Sequence, residues 1–379
     1  MASIYKHQKG WRAAVVGPSG RRTTRLFKLK ADAEAWARNL EADADRGAWT
    51  DPAAGRRTLG DYVDEWLESQ RWRASTREQA ESHLRSWILP AFGDKPIGSI
   101  TNTQIRRFVK DLDEHLAPST VEAIYRRLVS VLTAAVADRV IALNPATTTK
   151  IRLPADPPRD PARLVVLKPD HVVALADSVA PWLRAFVWCG AAAGLRPGET
   201  AGLSIEALDL SRRTITVDRQ LSTTTGGPRL ARPKTPASHR TIPIPDELVH
   251  ELNLHIDTFN PVTVADEVGE GHRQLIFTNR DGRPLRRNTL SDSWHRGATR
   301  AGLPPEATGW HQLRHFYASL LIAAGESVKT VQARMGHATA AETLGTYAAL
   351  WPTADDSTRS AVSSAFAADD RGSAGTARR

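Results

Sequence analysis

Five prolines lie between residues 145 and 161, within the segment NPATTTKIRLPADPPRDPAR. Proline lacks a backbone N–H and fixes φ, so a helix cannot continue through such a stretch. Proline-rich segments are extended and semi-rigid, and we therefore interpret residues 147–163 as a linker. Because 379 residues are too many for one ordinary hydrophobic core, the length favours two or three domains separated by this linker.

The first 30 residues form a strongly basic segment. They contain eight Lys or Arg side chains and no Asp or Glu, within a chain whose formal net charge is +9. Short alternating pieces, a GPSG turn and a helical pattern that ends near Gly47 predict a small sheet plus one helix within residues 1–55. Such a module most often binds a polyanion, although charge alone also fits a merely solvated surface.

Residues 57–146 have the pattern of a helical bundle. In TLGDYVDEWLESQ the apolar residues recur at intervals of three and four, which places them on one face of a helix. STRE at Ser75 and TNTQ at Thr101 have the form of capping boxes that open two further helices. A fourth helix, STVEAIYRRLVSVLTAAVADRV, is predicted to turn six side chains inward: Val121, Ile124, Leu128, Val131, Leu132 and Ala135.

Residues 164–351 have a mixed but mainly helical pattern. Two strand-like pieces, TITVDRQ and RTIPIP, flank RLARPKTPASH and predict a β-hairpin. Residues 352–379 predict one more helix, with Val362 and Phe366 on one face, and then a disordered RGSAGTARR. The predicted fold class is thus multidomain and mainly α: a small sheet plus helix, a helical bundle, and a mixed α+β domain after the linker.

The stretch GWHQLRHFYASL places His311 and His315 four residues apart, the spacing by which one helical face holds zinc. A zinc protease would have a Glu directly after the first His, to act as general base, whereas this chain has Gln312. The adjacent Arg314 would also repel a cation. We therefore expect an anion site rather than a metal site on this helix.

Five short motifs follow one another after the linker: GLRPGE at 194–199, PKTPASHRTIPI at 233–244, HQLRH at 311–315, MGH at 335–337, and TLGTY, which ends at Tyr347. In this order they resemble the tyrosine recombinase family, the phage integrase type of site-specific DNA recombinase. The family pattern ends with a Gly-His and a Tyr ten residues beyond it, and here 347 − 337 = 10. MGH replaces the commoner Leu-Gly-His, which is a volume-conserving difference.

The resemblance implies six catalytic residues: Arg196, Lys234, His311, Arg314, His337 and Tyr347. Attack on a phosphodiester builds negative charge on its oxygens, and two permanently charged guanidinium groups suit that charge. The lysine would protonate the leaving 5′ oxygen, the first histidine would assist proton transfer at the nucleophile, and the second would hydrogen-bond the phosphate. The tyrosine would form a 3′-phosphotyrosyl bond, which conserves the energy of the broken diester, so we expect no metal or cofactor.

Three further residues have weaker assignments. Glu199 resembles the acid that follows the first Arg in the family, and we interpret it as structural. His315 and Arg240 could contact phosphate, but a core histidine and a solvated hairpin arginine are the stronger interpretations.

The resemblance also implies the partners. These are double-stranded DNA, with residues 57–146 as a core-binding domain and residues 1–55 as an arm-binding domain, and further copies of the chain. Four protomers would form the synapse, a homotetramer on DNA, and strands would exchange through a Holliday junction to integrate or excise a phage genome or mobile element. An accessory directionality factor or DNA-bending protein is compatible with this scheme.

Two other functions are compatible with the same residues. A type IB topoisomerase would cut and reseal one duplex with the same chemistry, but the basic N-terminal module and the predicted C-terminal helix favour a recombinase. A DNA-binding regulator that shares the fold would have no use for Tyr347 as a nucleophile.

The single cysteine, Cys189, lies in the apolar run AFVWCGAAAGL, so an internal disulfide is impossible and a reducing compartment is expected. That run is shorter than the roughly 18 residues that a membrane span needs, and MASIYKHQKG lacks the apolar core of a signal peptide. We expect a cytoplasmic protein associated with the nucleoid, without membrane contact.

Overall fold

The structure is a computed structural model that describes residue 363 and residues 2–351, apart from 19, 21, 46–48, 50–53, 156–164, 225–226, 267 and 270. The chain divides into two compact units, Met1–Pro158 and Arg159–Arg379. Residues 156–163 of the predicted linker, and the predicted C-terminal helix apart from residue 363, lie outside the described residues. Within the described part of the chain, no helix is both long enough and apolar enough to cross a membrane.

The first unit begins with an antiparallel sheet in the order β1-β2-β3 (Ala2–His7, Gly10–Val16 and Arg22–Phe27). Helix α1 (Lys30–Asp45) packs against this sheet, and Val15, Ala37 and Trp49 are buried between them. The predicted sheet plus helix is therefore present. The core is small because few apolar side chains face inward from the strands.

The rest of the first unit is helical, with α2 (Leu59–Ser69), α3 (Ala74–His83), α4 (Leu89–Phe92), α5 (Asn102–Asp113) and α6 (Pro118–Ala137). One hydrophobic core contains residues of α2, α4, α5 and α6. All six α6 side chains that were predicted to face inward are buried in it, as are Leu59, Tyr62, Val63 and Trp66 of α2. The interval of three and four residues between apolar positions thus identifies the buried faces correctly.

Helices α3 and α4 are joined by a π turn at Leu84–Ile88. Pro90 lies in the first turn of α4 and has no N–H to donate to the preceding turn. π-Helical segments are rare and occur mostly as single turns within α-helices, as here. The helical stretch therefore passes through the proline instead of ending before it.

The two predicted capping boxes have different outcomes. Thr101 caps α5 through its side chain, which accepts from the Gln104 N–H, while the Gln104 side chain accepts from the Thr101 N–H. The box predicted at Ser75 is wrong, because α3 begins at Ala74 and its N-cap position is Arg73. Ser75 therefore lies inside the first turn of the helix, two residues after the N-cap position.

The second unit is also mainly helical, which confirms the predicted mainly α, multidomain fold class. Its helices are α7 (Pro169–Ser178), α8 (Arg184–Ala193), α9 (Pro197–Ala201), α10 (Asp246–Thr258), α11 (Arg287–Arg300), α12 (His311–Ala323), α13 (Val328–Met335) and α14 (Ala340–Tyr347). Helix α8 lies at the centre and packs against α7, α10 and α12. Phe186 of α8 meets the buried ring of Trp310 edge-on, with 4.9 Å between ring centroids.

Among the described residues of the second unit, short strands form three small sheets. β4 (Leu208–Asp209), β5 (Thr214–Val217) and β8 (Arg240–Pro243) form an antiparallel sheet in the order β4-β5-β8. A separate hairpin, β6 (Gln220–Thr224) and β7 (Gly227–Ala231), is inserted between β5 and β8. β9 (Val262–Ala265) pairs with β10 (His272–Leu275).

The prediction of one simple hairpin is therefore wrong in detail. TITVDRQ does not form one strand: it breaks after Val217, where Asp218 and Arg219 turn to pair with Arg273 and Asp266. These ion pairs give the two charged side chains partners that a continuous strand would not. As a result, Lys234 lies on the segment that joins β7 to β8.

Candidate active site

Arg314, on the first turn of α12, is buried with only 1% of its surface exposed. Its Nη1 donates to the Gly194 carbonyl at 2.6 Å, and its Nη2 donates to the Met335 carbonyl. Both carbonyls belong to the C-terminal ends of helices, α8 and α13, where they have no partner within the helix and carry partial negative charge. Burial, followed by the charge of Arg196, lowers the pKa of Arg314 to about 9, so the guanidinium is still charged at neutral pH.

Glycine is required at both helix ends that contact Arg314. Gly194 and Gly336 each follow a helix with φ of +62°, in the left-handed region that favours glycine. A Cβ on Gly336 would also lie 3.0 Å from the Ala237 carbonyl oxygen. The glycines of the GLRPGE and MGH motifs therefore allow the C-terminal ends of α8 and α13 to approach Arg314.

Arg196 reaches the same place from a different element. It immediately precedes α9, and its Nη2 donates to the Gly336 carbonyl at 3.3 Å, next to the carbonyl that Arg314 binds. Its Nη1 also donates to Glu199 Oε1 at 2.8 Å. Since the Arg196 side chain is 29% exposed whereas Arg314 is buried, Arg196 is the guanidinium that faces solvent.

Glu199 is held between two arginines inside the protein. Arg240 donates to both of its carboxylate oxygens, at 3.2 Å to Oε1 and 2.9 Å to Oε2. Burial acts to raise the pKa of Glu199, but the hydrogen bonds and charge of Arg240, with the charges of Arg196 and Arg314, lower it below its ordinary value. The carboxylate is therefore ionised at neutral pH, and it fixes the position of Arg196.

The interpretation of Arg240 as a solvated hairpin arginine is wrong. Arg240 is 8% exposed, and it also donates to the carbonyls of Arg334, at 2.7 Å, and Ser238, at 2.9 Å. The sequence contained a signal for this burial: in β8, alternate residues face inward, and Arg240 shares the buried face with Ile242. Arg240 thus ties β8 to Glu199 and to the end of α13.

The site has a positive balance of charge. The guanidinium groups of Arg196, Arg240 and Arg314 face the single carboxylate of Glu199, which leaves two positive charges uncompensated within this set. Loss of hydration inside the site, followed by the positive charges of Arg314 and Arg196, lowers the pKa of both His311 and His337 to about 4. Both imidazoles are therefore neutral at pH 7, and the site favours an anion through its arginines.

His337 follows Gly336, the C-cap of α13, and is 7% exposed. Its Nδ1 lies 2.9 Å from the hydroxyl oxygen of Thr343, which is fully buried on α14, one turn before Tyr347. Thr343 was not predicted as a site residue, and its type and spacing gave no signal that would have identified it. The contact links the α13 end of the site to the helix that carries Tyr347.

Tyr347 is the last residue of α14, and only 1% of its surface is exposed. Its hydroxyl oxygen lies 2.7 Å from Nδ1 of His315. Burial raises the pKa of Tyr347 to about 12, although Arg314 and Arg196 act to lower it. The side chain is therefore a neutral phenol at pH 7, and it needs a proton acceptor before it can act as a nucleophile.

Of the six residues predicted to be catalytic, five belong to this cluster: Arg196, His311, Arg314, His337 and Tyr347. Lys234, the sixth, is exposed on the β7–β8 segment, six residues before Arg240. In the described ranges, no group of three or more His, Cys, Asp or Glu side chains is placed to hold a metal ion.

Comparisons with protein families and with known proteins find matches along most of the chain. The model of the "Phage integrase family" matches residues 166–353, and that of the "Phage integrase, N-terminal SAM-like domain" matches residues 58–112. The prophage phiRv2 integrase of Mycobacterium tuberculosis is 27% identical over 343 residues, which is 88% of this chain and 87% of that protein.

Two solved structures show that the fold is shared. The Tn1549 transposon integrase in complex with a circular intermediate DNA is 22% identical, with a TM-score of 0.67 over 81% of this chain and 98% of that one. A lambda integrase tetramer bound to a Holliday junction is 16% identical, with a TM-score of 0.55 over 90% of this chain and 94% of that one. The two family matches identify the chain as a member of the phage integrase family of tyrosine recombinases.

Proposed function

We propose that this protein is a site-specific DNA recombinase, an integrase that cleaves and rejoins DNA through a covalent 3′-phosphotyrosine. The observation that carries the proposal is the set of contacts around residues 335–337. Two arginines from distant segments bind adjacent carbonyls there, and Tyr347 lies within the electrostatic influence of both. A buried tyrosine beside two arginines that carry excess positive charge is suited to attack on an anionic phosphodiester.

The cluster supports a division of roles in this reaction. Arg196 and Arg314 would bind the non-bridging phosphate oxygens and stabilise the charge that builds up during attack. His337, neutral and fixed by Thr343, would donate a hydrogen bond to the same phosphate through Nε2. Lys234, exposed on its connecting segment, would reach the DNA and protonate the leaving 5′ oxygen.

The first unit would supply DNA affinity. Lys6, Arg22 and Arg25 of the sheet and Lys9 of the β1–β2 turn are exposed, and we assign residues 1–55 to arm-type DNA sites on that basis. Residues 57–146, of which 58–112 match the SAM-like domain model, would bind the core site. Contacts of this kind act mainly through phosphates, so the affinity should fall steeply as salt concentration rises.

Exchange between two duplexes requires several copies of the chain. The lambda integrase relatives were solved as a dimer on a core site and as a tetramer on a Holliday junction. We propose the same for this chain: two protomers on each core site, four in the synapse, and strand exchange through a Holliday junction. An accessory directionality or DNA-bending protein would act on this complex, and its place of action would be the nucleoid.

The test is covalent capture on DNA. Duplexes taken from the borders of the element that encodes the protein are nicked near the cleavage point, so that the released fragment diffuses away and the covalent product accumulates. Wild-type protein should give a protein–DNA adduct that survives SDS, whereas Tyr347→Phe should bind the same DNA and give none. An adduct with Tyr347→Phe refutes the assignment of the nucleophile, and a wild type that gives no adduct refutes the function.

A second assay separates recombination from topoisomerase action. Two different duplexes that both carry the site are mixed, each with its own label. A recombinase joins the labels in one product, whereas a type IB topoisomerase relaxes supercoiled plasmid and leaves the labels on separate molecules.

A further inference from the structure

His315, on α12, lies between His311 and Tyr347, the predicted nucleophile. Its Nδ1 is 2.7 Å from the Tyr347 hydroxyl oxygen, and the two rings meet nearly edge-on, with 5.5 Å between centroids. On its other side, the ring of His311 meets it at a centroid distance of 5.1 Å. The three rings therefore form a row, in which His315 is the member that contacts the phenol.

We propose that His315, rather than His311, accepts the proton of Tyr347 when the tyrosine attacks DNA, an inference that rests on the proposed function. A bond forms between the Tyr347 oxygen and phosphorus, and the bond from phosphorus to the 5′ oxygen breaks. The phenolic proton passes to Nδ1 of His315, and the leaving 5′ oxygen takes a proton from Lys234. In the joining step, the 5′ hydroxyl attacks phosphorus and gives its proton back to Lys234. The bond from phosphorus to the Tyr347 oxygen breaks, and His315 returns its proton to that oxygen.

The geometry meets the requirement for a general base. A distance of 2.7 Å is within hydrogen-bond reach, and it needs only the imidazole tautomer that carries its proton on Nε2. α12 also fixes the backbone of His315, because its neighbours Arg314 and Phe316 are both buried. Tyr347 is a neutral phenol at pH 7, so removal of its proton is a necessary part of the attack.

His311 is less suited to this role. It is the exposed first residue of α12, and in the described residues its ring contacts His315 while the Tyr347 hydroxyl is bonded to His315. His311 would then bind the phosphate, or hold the His315 ring in position through their ring contact.

The test measures the rate of covalent adduct formation under single-turnover conditions, on the nicked border duplex described above. His315→Gln should slow the reaction by about 10²-fold or more, the range expected for loss of a general base, and should leave DNA affinity within about twofold. Ser319→Ala, one turn further along α12, is the matched control and should react at the wild-type rate. Circular dichroism melting shows whether each variant is folded.

A second measurement distinguishes proton transfer from simple positioning. 3,5-Difluorotyrosine at position 347 ionises at lower pH than tyrosine and depends less on a base. It should restore the rate of His315→Gln at least tenfold relative to ordinary tyrosine, and it should shift the pH profile of cleavage to lower pH. The groups that face this pair and affect the profile are Arg196, Arg314, His311, His337 and Glu342.

Three results would overturn the inference: a His315→Gln rate within threefold of wild type, a rate above wild type, or a slow rate that fluorotyrosine does not restore. A rate above wild type would mean that the contact only restrains the resting tyrosine. A defect that fluorotyrosine restores in His311→Gln but not in His315→Gln would assign the base to His311. If wild type forms no adduct at all, the proposed function fails first, and this inference fails with it.

Discussion

The buried contact between Arg240 and Glu199 provides a prediction with a defined magnitude. Arg240→Met keeps most of the side-chain volume but removes both hydrogen bonds to the carboxylate, at 3.2 and 2.9 Å, and leaves the carbonyls of Arg334 and Ser238 without this donor. Removal of one partner of a buried ion pair costs about 3–5 kcal/mol, because the other charge stays buried without full compensation. This corresponds to an increase of roughly two to four powers of ten in the unfolding constant.

The loss of stability caused by Arg240→Met should depend on pH, because the Arg240–Glu199 pair changes the pKa of Glu199. In the wild type, the pKa of Glu199 is lower in the folded than in the unfolded protein, so its contribution to stability is present above the unfolded pKa. That contribution is lost as pH falls through the folded pKa. In Arg240→Met the carboxylate lacks its main partner and protonates more readily, so the difference from wild type should shrink as pH falls from 7 towards 4.

The assay is urea unfolding at several pH values, with hydrogen exchange of α8 and β8 peptides to follow the second unit. Arg213→Met is the matched control, because Arg213 pairs with Asp246 at 3.0 Å but both side chains are more than half exposed. An exposed pair contributes about 1 kcal/mol or less, so this control should change little. If Arg240→Met is no more destabilising than Arg213→Met, or its deficit is independent of pH, the role given to the buried pair is incorrect.

Three further predictions concern stability. Gly194→Ala should cost about 1–3 kcal/mol in urea unfolding, because φ is +62° and the new Cβ would lie 2.3 Å from Cδ1 of Tyr317. Leu128→Ala, in the core of the first unit, should cost about 2–5 kcal/mol by the same measurement. The lowered pKa of His337 means that its contribution is present above pH 6.5 and is lost as pH falls through about 4. As pH falls from 6.5 to about 4, the melting temperature of His337→Gln should therefore decrease less than that of the wild type.

The first two of these predictions have matched control variants, and the third is compared with the wild type. Gly309→Ala should be nearly neutral, because no atom lies within 4 Å of its Cβ position and its φ is not in the left-handed region. Leu143→Ala should also change little, since that side chain is 70% exposed. Equal losses in either pair would contradict the packing described above. For His337, identical melting curves for variant and wild type between pH 7 and 4 would contradict the lowered pKa.

Local sequence patterns predicted most of the helices because helix formation and burial follow a short period along the chain. The inward face of α6 and the capping box at Thr101 depend on residues only a few positions apart. The same holds for the motifs around Arg196 and His337, whose glycines are needed where helices end. The error at the predicted hairpin arose elsewhere: Asp218 pairs with Arg273, 55 residues away, and no local pattern predicts that pair.

The sequence by itself thus determined the mainly helical modules, the basic N-terminal segment, and a set of Arg, Lys, His and Tyr residues suited to phosphodiester chemistry. Only the tertiary structure decided which of these side chains touch. Arg240 meets Glu199 across 41 positions, and His315 meets Tyr347 across 32. The physical reason is that a periodic pattern shows which face of an element is buried, whereas the partner of a buried charge or hydroxyl depends on how distant elements pack.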